Sequence, residues 1–369
     1  MSVRSRAVLL LLPLLGTVMA VGARMPQGRA TAPPRVVWNP ASLRLVRQDG
    51  CYGRLRRLSA QSWIACYELG GEVRVCFSED DGRTWGAERT AASIPYGHAA
   101  NPEILVLSSQ HILLFVNERP TDGQHPFAIS MTRSTDGGRS WTPLQVLYRA
   151  GTRFEDGCWE PAALRMPNGE IRLVFANEGP YPHSNEQEIS MMTARDSGRT
   201  WSDAEKVSFR PRARDGMPVP ILDPSGRGML MAIEDSGMNG LMKPAIVAVT
   251  PGRVALPDSP YRWPALAEPL PADVYAGAPY LVRMPDGTTL LSVQSTEGGR
   301  AERMVVYCGD RNARAFRNPS EPFDLPRDVK GLWNSLAVKS RDTVIAVSTT
   351  TLHGKPGIWA VDGRVVSER

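Results

Sequence analysis

The sequence predicts an all-β chain folded as a six-bladed β-propeller with four-stranded antiparallel blades, and three observations predict it. A polar turn ending in tryptophan recurs three times at blade spacing. An apolar hairpin recurs six times, and an apolar segment ahead of the first hairpin is available to complete the last blade. Gly 33 and Pro 31 in 369 residues suit many short strands joined by tight turns. With 42% hydrophobic and 22% charged residues the composition is globular, which excludes disordered, collagen-like and polytopic membrane proteins.

Arg4 and Arg6 precede an apolar run from Ala7 to Ala23, broken by Pro13, Gly16, Thr17 and Gly22, with small residues at Ala20 and Ala23. This reads as a signal peptide over 1–23 and a linker over 24–35, so a secreted or periplasmic protein is expected. The run is shorter than the roughly 20 residues that span a bilayer, and no stable membrane insertion is expected after cleavage. Without Arg4 and Arg6 the formal charge falls from +5 to +3, and no Lys/Arg block stands out. Nucleic acid is therefore not an expected partner.

A single propeller domain is expected over 36–369. Its turns, Ser78 to Trp85, Ser134 to Trp141 and Ala194 to Trp201, share the pattern S/A-x-D-x-G-x-T/S-W, with the tryptophans 56 and 60 residues apart. A weaker copy runs from Asp310 to Phe316. An aspartate can accept hydrogen bonds from amides ahead of it, glycine permits positive φ, and tryptophan lays an apolar face between blades. Asp80, Asp136 and Asp196 are thus read as structural.

The hairpins run from Arg54 to Glu68, Pro102 to Glu118, Pro161 to Glu178, Pro218 to Glu234, Pro279 to Gln294 and Asn334 to Thr350. Each is an apolar segment, a turn and a second apolar segment ending in a polar residue. Third strands are expected near Ala128, Glu188, Ala245 and Met304, and Val36 to Val46 is the expected closing strand. Five cysteines (Cys51, Cys66, Cys76, Cys158, Cys308) lack C-x-x-C spacing, and five histidines lack an i, i+4 pair. Neither a metal nor a cofactor is expected, and the thiols read as small buried hydrophobes, with one disulfide open to an exported chain.

The turns resemble the Asp-box, or BNR, repeats of the sialidase superfamily. That resemblance implies boxes on the rim opposite an active site, which would lie at the mouth where the innermost strands begin. A sialidase clamps its substrate carboxylate with three arginines, since guanidinium forks match carboxylates. Arg54 resembles the first of these, but the openings of blades 5 and 6, Ala276 to Pro279 and Gly331 to Asn334, contain no arginine. An anionic sugar is accordingly disfavoured.

The openings Asp156 to Pro161 and Arg214 to Pro218, the latter leading to Glu234, resemble exo-acting arabinan hydrolases of glycoside hydrolase family 93. The resemblance implies retaining hydrolysis of a neutral arabinan-type oligo- or polysaccharide by Glu160 and Glu234, with Glu160 favoured as nucleophile and the reverse order open. Trp159, Tyr275, Tyr280 and Trp333 would offer stacking faces. Arg54, Asn101, Asp156 and Asp215 would offer polar contacts. The competing readings are an exo-α-sialidase and a non-catalytic carbohydrate-binding propeller. For Glu234 alone the plain reading is strand-end polarity in register with Asn177. A monomer is expected.

Overall fold

The computed structural model describes residues 34–250 and 252–367, so the expected signal peptide and nearly all of the expected linker lie outside the described residues. Among the described residues twenty-four strands form six four-stranded antiparallel sheets arranged as blades. The innermost strands are Cys51–Arg57, Gly97–Val106, Cys158–Arg165, Asp215–Leu222, Ala276–Arg283 and Gly331–Val338, for blades 1 to 6. Arg35–Gln48 pairs antiparallel with Lys355–Val366 and supplies the outer strand of blade 6, so the first and last described strands share one sheet.

The apolar core lies between blades, because each sheet is covered on both faces by its neighbours. Leu113, Phe115, Phe175, Met191, Met231 and Val247 join blades 2, 3 and 4 in one cluster. Four further clusters fill the other interfaces around the ring. All five cysteines are free thiols, four of them buried.

The repeated turns stand on the face where the innermost strands end. Asp80 Oδ1 accepts from the amides of Arg83 and Thr84 at 3.0 and 2.9 Å, and Oδ2 accepts from Thr84 Oγ1 at 2.6 Å. Asp136 and Asp196 repeat the pattern. The hydrogen bond from Thr84, with those from neighbouring groups, holds the Asp80 carboxyl well below the usual carboxylate range. Gly198, at φ +81°, lies where a Cβ would come within 2.9 Å of Leu113 in the next blade. Trp201 meets Phe115 edge-on at 5.8 Å. The weaker copy uses Asp310, which accepts from the amides of Asn312 and Arg314 and leads to the buried Phe316.

At the opposite end every innermost strand carries the same irregularity. Its register slips once, and one residue there has positive φ: Tyr52, Asn101, Glu160, Met217, Ala278 and Trp333. None is glycine, and four precede proline, which itself disfavours compact backbone at the preceding residue. A bulge of this kind redirects side chains, so residues on either side no longer follow one alternation.

Candidate active site

The bulges are clipped together across blades by the polar ends of the second strands. The Glu68 carboxylate accepts from the Asn101 amide at 2.7 Å, Glu234 Oε2 from the Ala278 amide at 2.8 Å, and Thr349 Oγ1 from the Tyr52 amide at 3.1 Å. Gln294 Oε1 accepts from the Trp333 amide in the same way. Each clip joins one blade to the bulge residue of the next. Pairing opposite the residue before the bulge makes Glu234 the counterpart of Glu68, Asn117, Ala176, Gln294 and Thr349. The expected register with Asn177 is therefore off by one, since Asn177 pairs with Cys158 as Asp235 pairs with Asp215.

Glu234 differs from its counterparts in its niche. Gly216 and Gly277 flank it: a Cβ on Gly216 would lie 2.8 Å from Oε1, and one on Gly277 would lie 2.6 Å from Oε2 and 2.3 Å from the Tyr275 hydroxyl. The missing side chains leave room for the carboxylate beside that hydroxyl. Burial pushes its pKa up. The Ala278 amide, the Arg214 charge and the Tyr275 hydroxyl pull it back.

Glu160 is the bulge residue of blade 3, at φ +47°, and faces the axial hollow with Tyr52, Pro161 and Met217. Its direction is fixed by Trp159, which points the other way into the wall. That indole donates to Glu178 Oε2 at 2.8 Å and packs on Phe127 and Phe154 at 5.0 and 4.7 Å. Among the described residues no hydrogen bond reaches the Glu160 carboxyl. Burial, opposed by the Arg119 charge and reinforced by Glu234 and Glu178, raises its pKa to about 8. Glu160 and Glu234 are thus partly buried carboxyls within electrostatic reach of one another, in different hydrogen-bonding environments.

Arg119 lies beyond the strand end that the hairpin pattern marks at Glu118, and the sequence reading missed it. Its guanidinium donates to Asn117 Oδ1 at 2.8 Å and to Asn101 Oδ1, and lies 5.2 Å from the Trp159 ring. Arg214 pairs with Glu178 and donates to Asn185 Oδ1 at 3.0 Å. Both cations bias Glu160 toward its charged form.

Several residues expected to meet a substrate are committed elsewhere. Arg54, 3% exposed, lies 3.6 Å from Glu103 and under the rings of Tyr52 and Tyr280. Tyr280, 2% exposed, spends its hydroxyl on Arg56 and Glu103. Asp215 is fully buried against Arg262 and Ser208, and Trp159 is walled in. The strand bulges place Arg54 and Tyr280 below the mouth and Asp215 between blades. Asn101 is buried and serves Glu68 and Arg119, while both oxygens of Asp156 engage Arg153 at the rim. Trp333 is exposed at the mouth, 6.0 Å from Tyr52, and Tyr275 is half-buried beside Glu234.

Beneath Glu160 the free space is only about 10 Å³. That holds about one water. Arg54, Glu103 and Tyr280 close it below, so a chain-like ligand at the mouth could not thread the axis. Among the described residues no group of three His, Cys, Asp or Glu side chains is arranged to hold a metal ion, and no helix is long and apolar enough to cross a membrane.

Residues 128–268 match the family model of a BNR repeat-like domain, a span that holds two of the repeated turns and both Glu160 and Glu234. No curated protein matches the chain in sequence. Among solved structures the propeller is similar to the α-L-arabinofuranosidase Arb93A of Fusarium graminearum, with 18% identity, a TM-score of 0.68, and coverage of 90% of this chain and 98% of that one. It is similar to the α-L-arabinanase of Penicillium chrysogenum, with 18% identity, a TM-score of 0.65 and coverage of 91% and 98%. A protein of unknown function from Dyadobacter fermentans is as alike, with 15% identity, a TM-score of 0.68 and coverage of 91% and 99%. Trypanosoma rangeli sialidase is more distant, with 13% identity, a TM-score of 0.57 and coverage of 90% and 56%. At these identities the likeness establishes a shared six-bladed propeller fold.

Proposed function

We propose that the protein is an exported glycoside hydrolase that removes units from the end of a neutral, arabinan-type chain with retention, using Glu160 and Glu234. The observation that carries this reading is the pairing of two partly buried carboxyls, within electrostatic reach of one another, in unlike environments. Such a pair can be divided between an acid and an anion at one pH. The full-length likeness to an α-L-arabinofuranosidase and an α-L-arabinanase supports the substrate class.

The environments favour the reverse of the role order expected from sequence. Glu160, with no hydrogen bond and a pKa of about 8, is suited to hold a proton at neutral pH and deliver it to the leaving oxygen. Glu234, receiving the Ala278 amide and beside the Tyr275 hydroxyl, is suited to remain an anion and attack the anomeric carbon. The covalent glycosyl ester would then be opened by a water that Glu160 deprotonates. Trp333 offers the stacking face at the mouth.

Turnover of 4-nitrophenyl arabinofuranosides or linear arabinan, set against a fluorogenic sialoside, tests the substrate class. Release of arabinose or arabino-oligosaccharides with retained anomeric configuration is expected. Hydrolysis of the sialoside alone would replace this reading with a sialidase, and no turnover of any glycan, with binding retained, would replace it with a carbohydrate-binding propeller.

A further inference from the structure

The axis of the propeller holds a second hollow, on the face of the repeated turns. It measures about 480 Å³ and is lined by the last residues of the six innermost strands. Leu105, Ala163, Val219, Val282 and Val338 are partly exposed along its walls. That size, with apolar walls and few polar groups, is typical of a small-molecule site. The network of Arg54, Glu103 and Tyr280 separates it from the mouth, with Arg56 on its inner side.

The charges of this hollow do not balance. Glu103 is the one carboxylate in its lining and is shared by two guanidinium groups, Arg56 in direct contact and Arg54 at 3.6 Å. Arg57 is matched by Asp81 at 3.0 Å. Arg283 forms no ion pair among the described residues, though the charges of Asp223 and Asp310 act on it: it donates to the carbonyls of Arg311 and Leu222, and its Nε is buried without a partner. An apolar recess therefore ends on surplus positive charge. The Arg56 side chain is 29% exposed, and its Nη1 donates to the Leu55 carbonyl at 2.9 Å while its Nη2 donates to Glu103 and to the Tyr280 hydroxyl. A neutral ligand would leave that charge uncompensated, and a purely ionic one would leave the walls unfilled.

We infer that this hollow is a second ligand site, distinct from the mouth, for an apolar-bodied monocarboxylate whose head pairs with Arg56 while its tail lies along the strand ends. A carboxylate there forms a charge-assisted contact in a recess with little competing water.

Calorimetric titration of the full chain with octanoate tests this, with octanol, octylammonium and acetate as controls. One saturable octanoate site is expected, with octanol weaker by about tenfold or more and no measurable binding of octylammonium or acetate. Arg56→Gln should weaken octanoate by a similar factor, Ala163→Phe should abolish binding by filling the hollow, and Glu160→Gln at the mouth should leave it unchanged. If Ala163→Phe does not fold, Val338→Phe fills the hollow from another blade. Octanol binding as tightly as octanoate, acetate binding as tightly as octanoate, octanoate binding that survives the filling variants, or no saturable binding would each overturn the proposal. Failure of glycan turnover at the mouth would leave it standing.

Discussion

Blades 1 and 4 use the same device for different ends. Glu68 and Glu234 occupy equivalent positions, and each accepts the amide of the next blade's bulge residue, at 2.7 and 2.8 Å. Their neighbours differ. Glu68 lies against the Cys51 thiol and within the fields of Arg119 and Arg54. Glu234 is flanked by two glycines and a tyrosine hydroxyl, and looks toward Glu160. A backbone clip becomes a candidate nucleophile when the side chains around it are removed. The comparison teaches that recurrence of a polar strand end is compatible with chemistry at one of its copies.

The sharpest way to break the comparison is to treat the two carboxylates alike. Glu234→Gln is expected to lower kcat by about a thousandfold or more. Glu68→Gln, which keeps the acceptor oxygen, should change kcat by less than about threefold. Equal losses in the two variants, measured on an aryl arabinofuranoside, would reduce Glu234 to a structural clip. A smaller change fills the niche: Gly277→Ala places a Cβ where the Tyr275 hydroxyl and Glu234 Oε2 now lie, and kcat should fall by about a hundredfold with the fold intact. Cys51, which pairs with Glu68 as Gly216 pairs with Glu234, already carries a side chain and should tolerate Ala with little effect on turnover.

Stability gives a third contrast. The folded pKa of Glu160, about 8, stands above its ordinary value of 4.5, so the folded state holds this proton more tightly than the unfolded chain. Its contribution to stability is fully present below about pH 4.5 and is lost as pH rises through about 8. Glu160→Gln should therefore match the wild type at the acid end and exceed it by roughly 2 kcal/mol above that window, allowing for water that reaches the pore. Denaturant midpoints across the range measure this, and a constant difference would contradict the environment assigned to Glu160. Arg119→Gln should shift a pH limb and leave the plateau rate in place. Losing a charge that favours ionised Glu160 should move the alkaline limb of kcat upward by about one pH unit.

The fold was legible because its turns spell out their own chemistry. Asp80, Gly82 and Trp85 announce a hydrogen-bonded turn, a positive φ and an interblade contact, and the structure uses such turns to join the third and fourth strands of a blade. The site was less legible because it depends on backbone that the local residues argue against. Nothing in Asn101-Pro102 or Ala278-Pro279 announces a left-handed residue, since proline usually holds its predecessor extended. Counting strands without those bulges put Arg54 and Tyr280 at the mouth, whereas they close its floor. Arg119 follows an acidic strand end that looked like the boundary. The second role of Gly216 and Gly277 is invisible until Glu234 is seen between them.

One consequence follows from the sheet that joins Arg35–Gln48 to Lys355–Val366. Arg35–Gln48 has no partner until Lys355–Val366 is available, so until then the ring is an open arc with unpaired edges. Closure then couples the first and last described strands, a non-local pairing of the kind that forms slowly. Trimming either end beyond its paired residues unlatches the circle at a seam far from both glutamates.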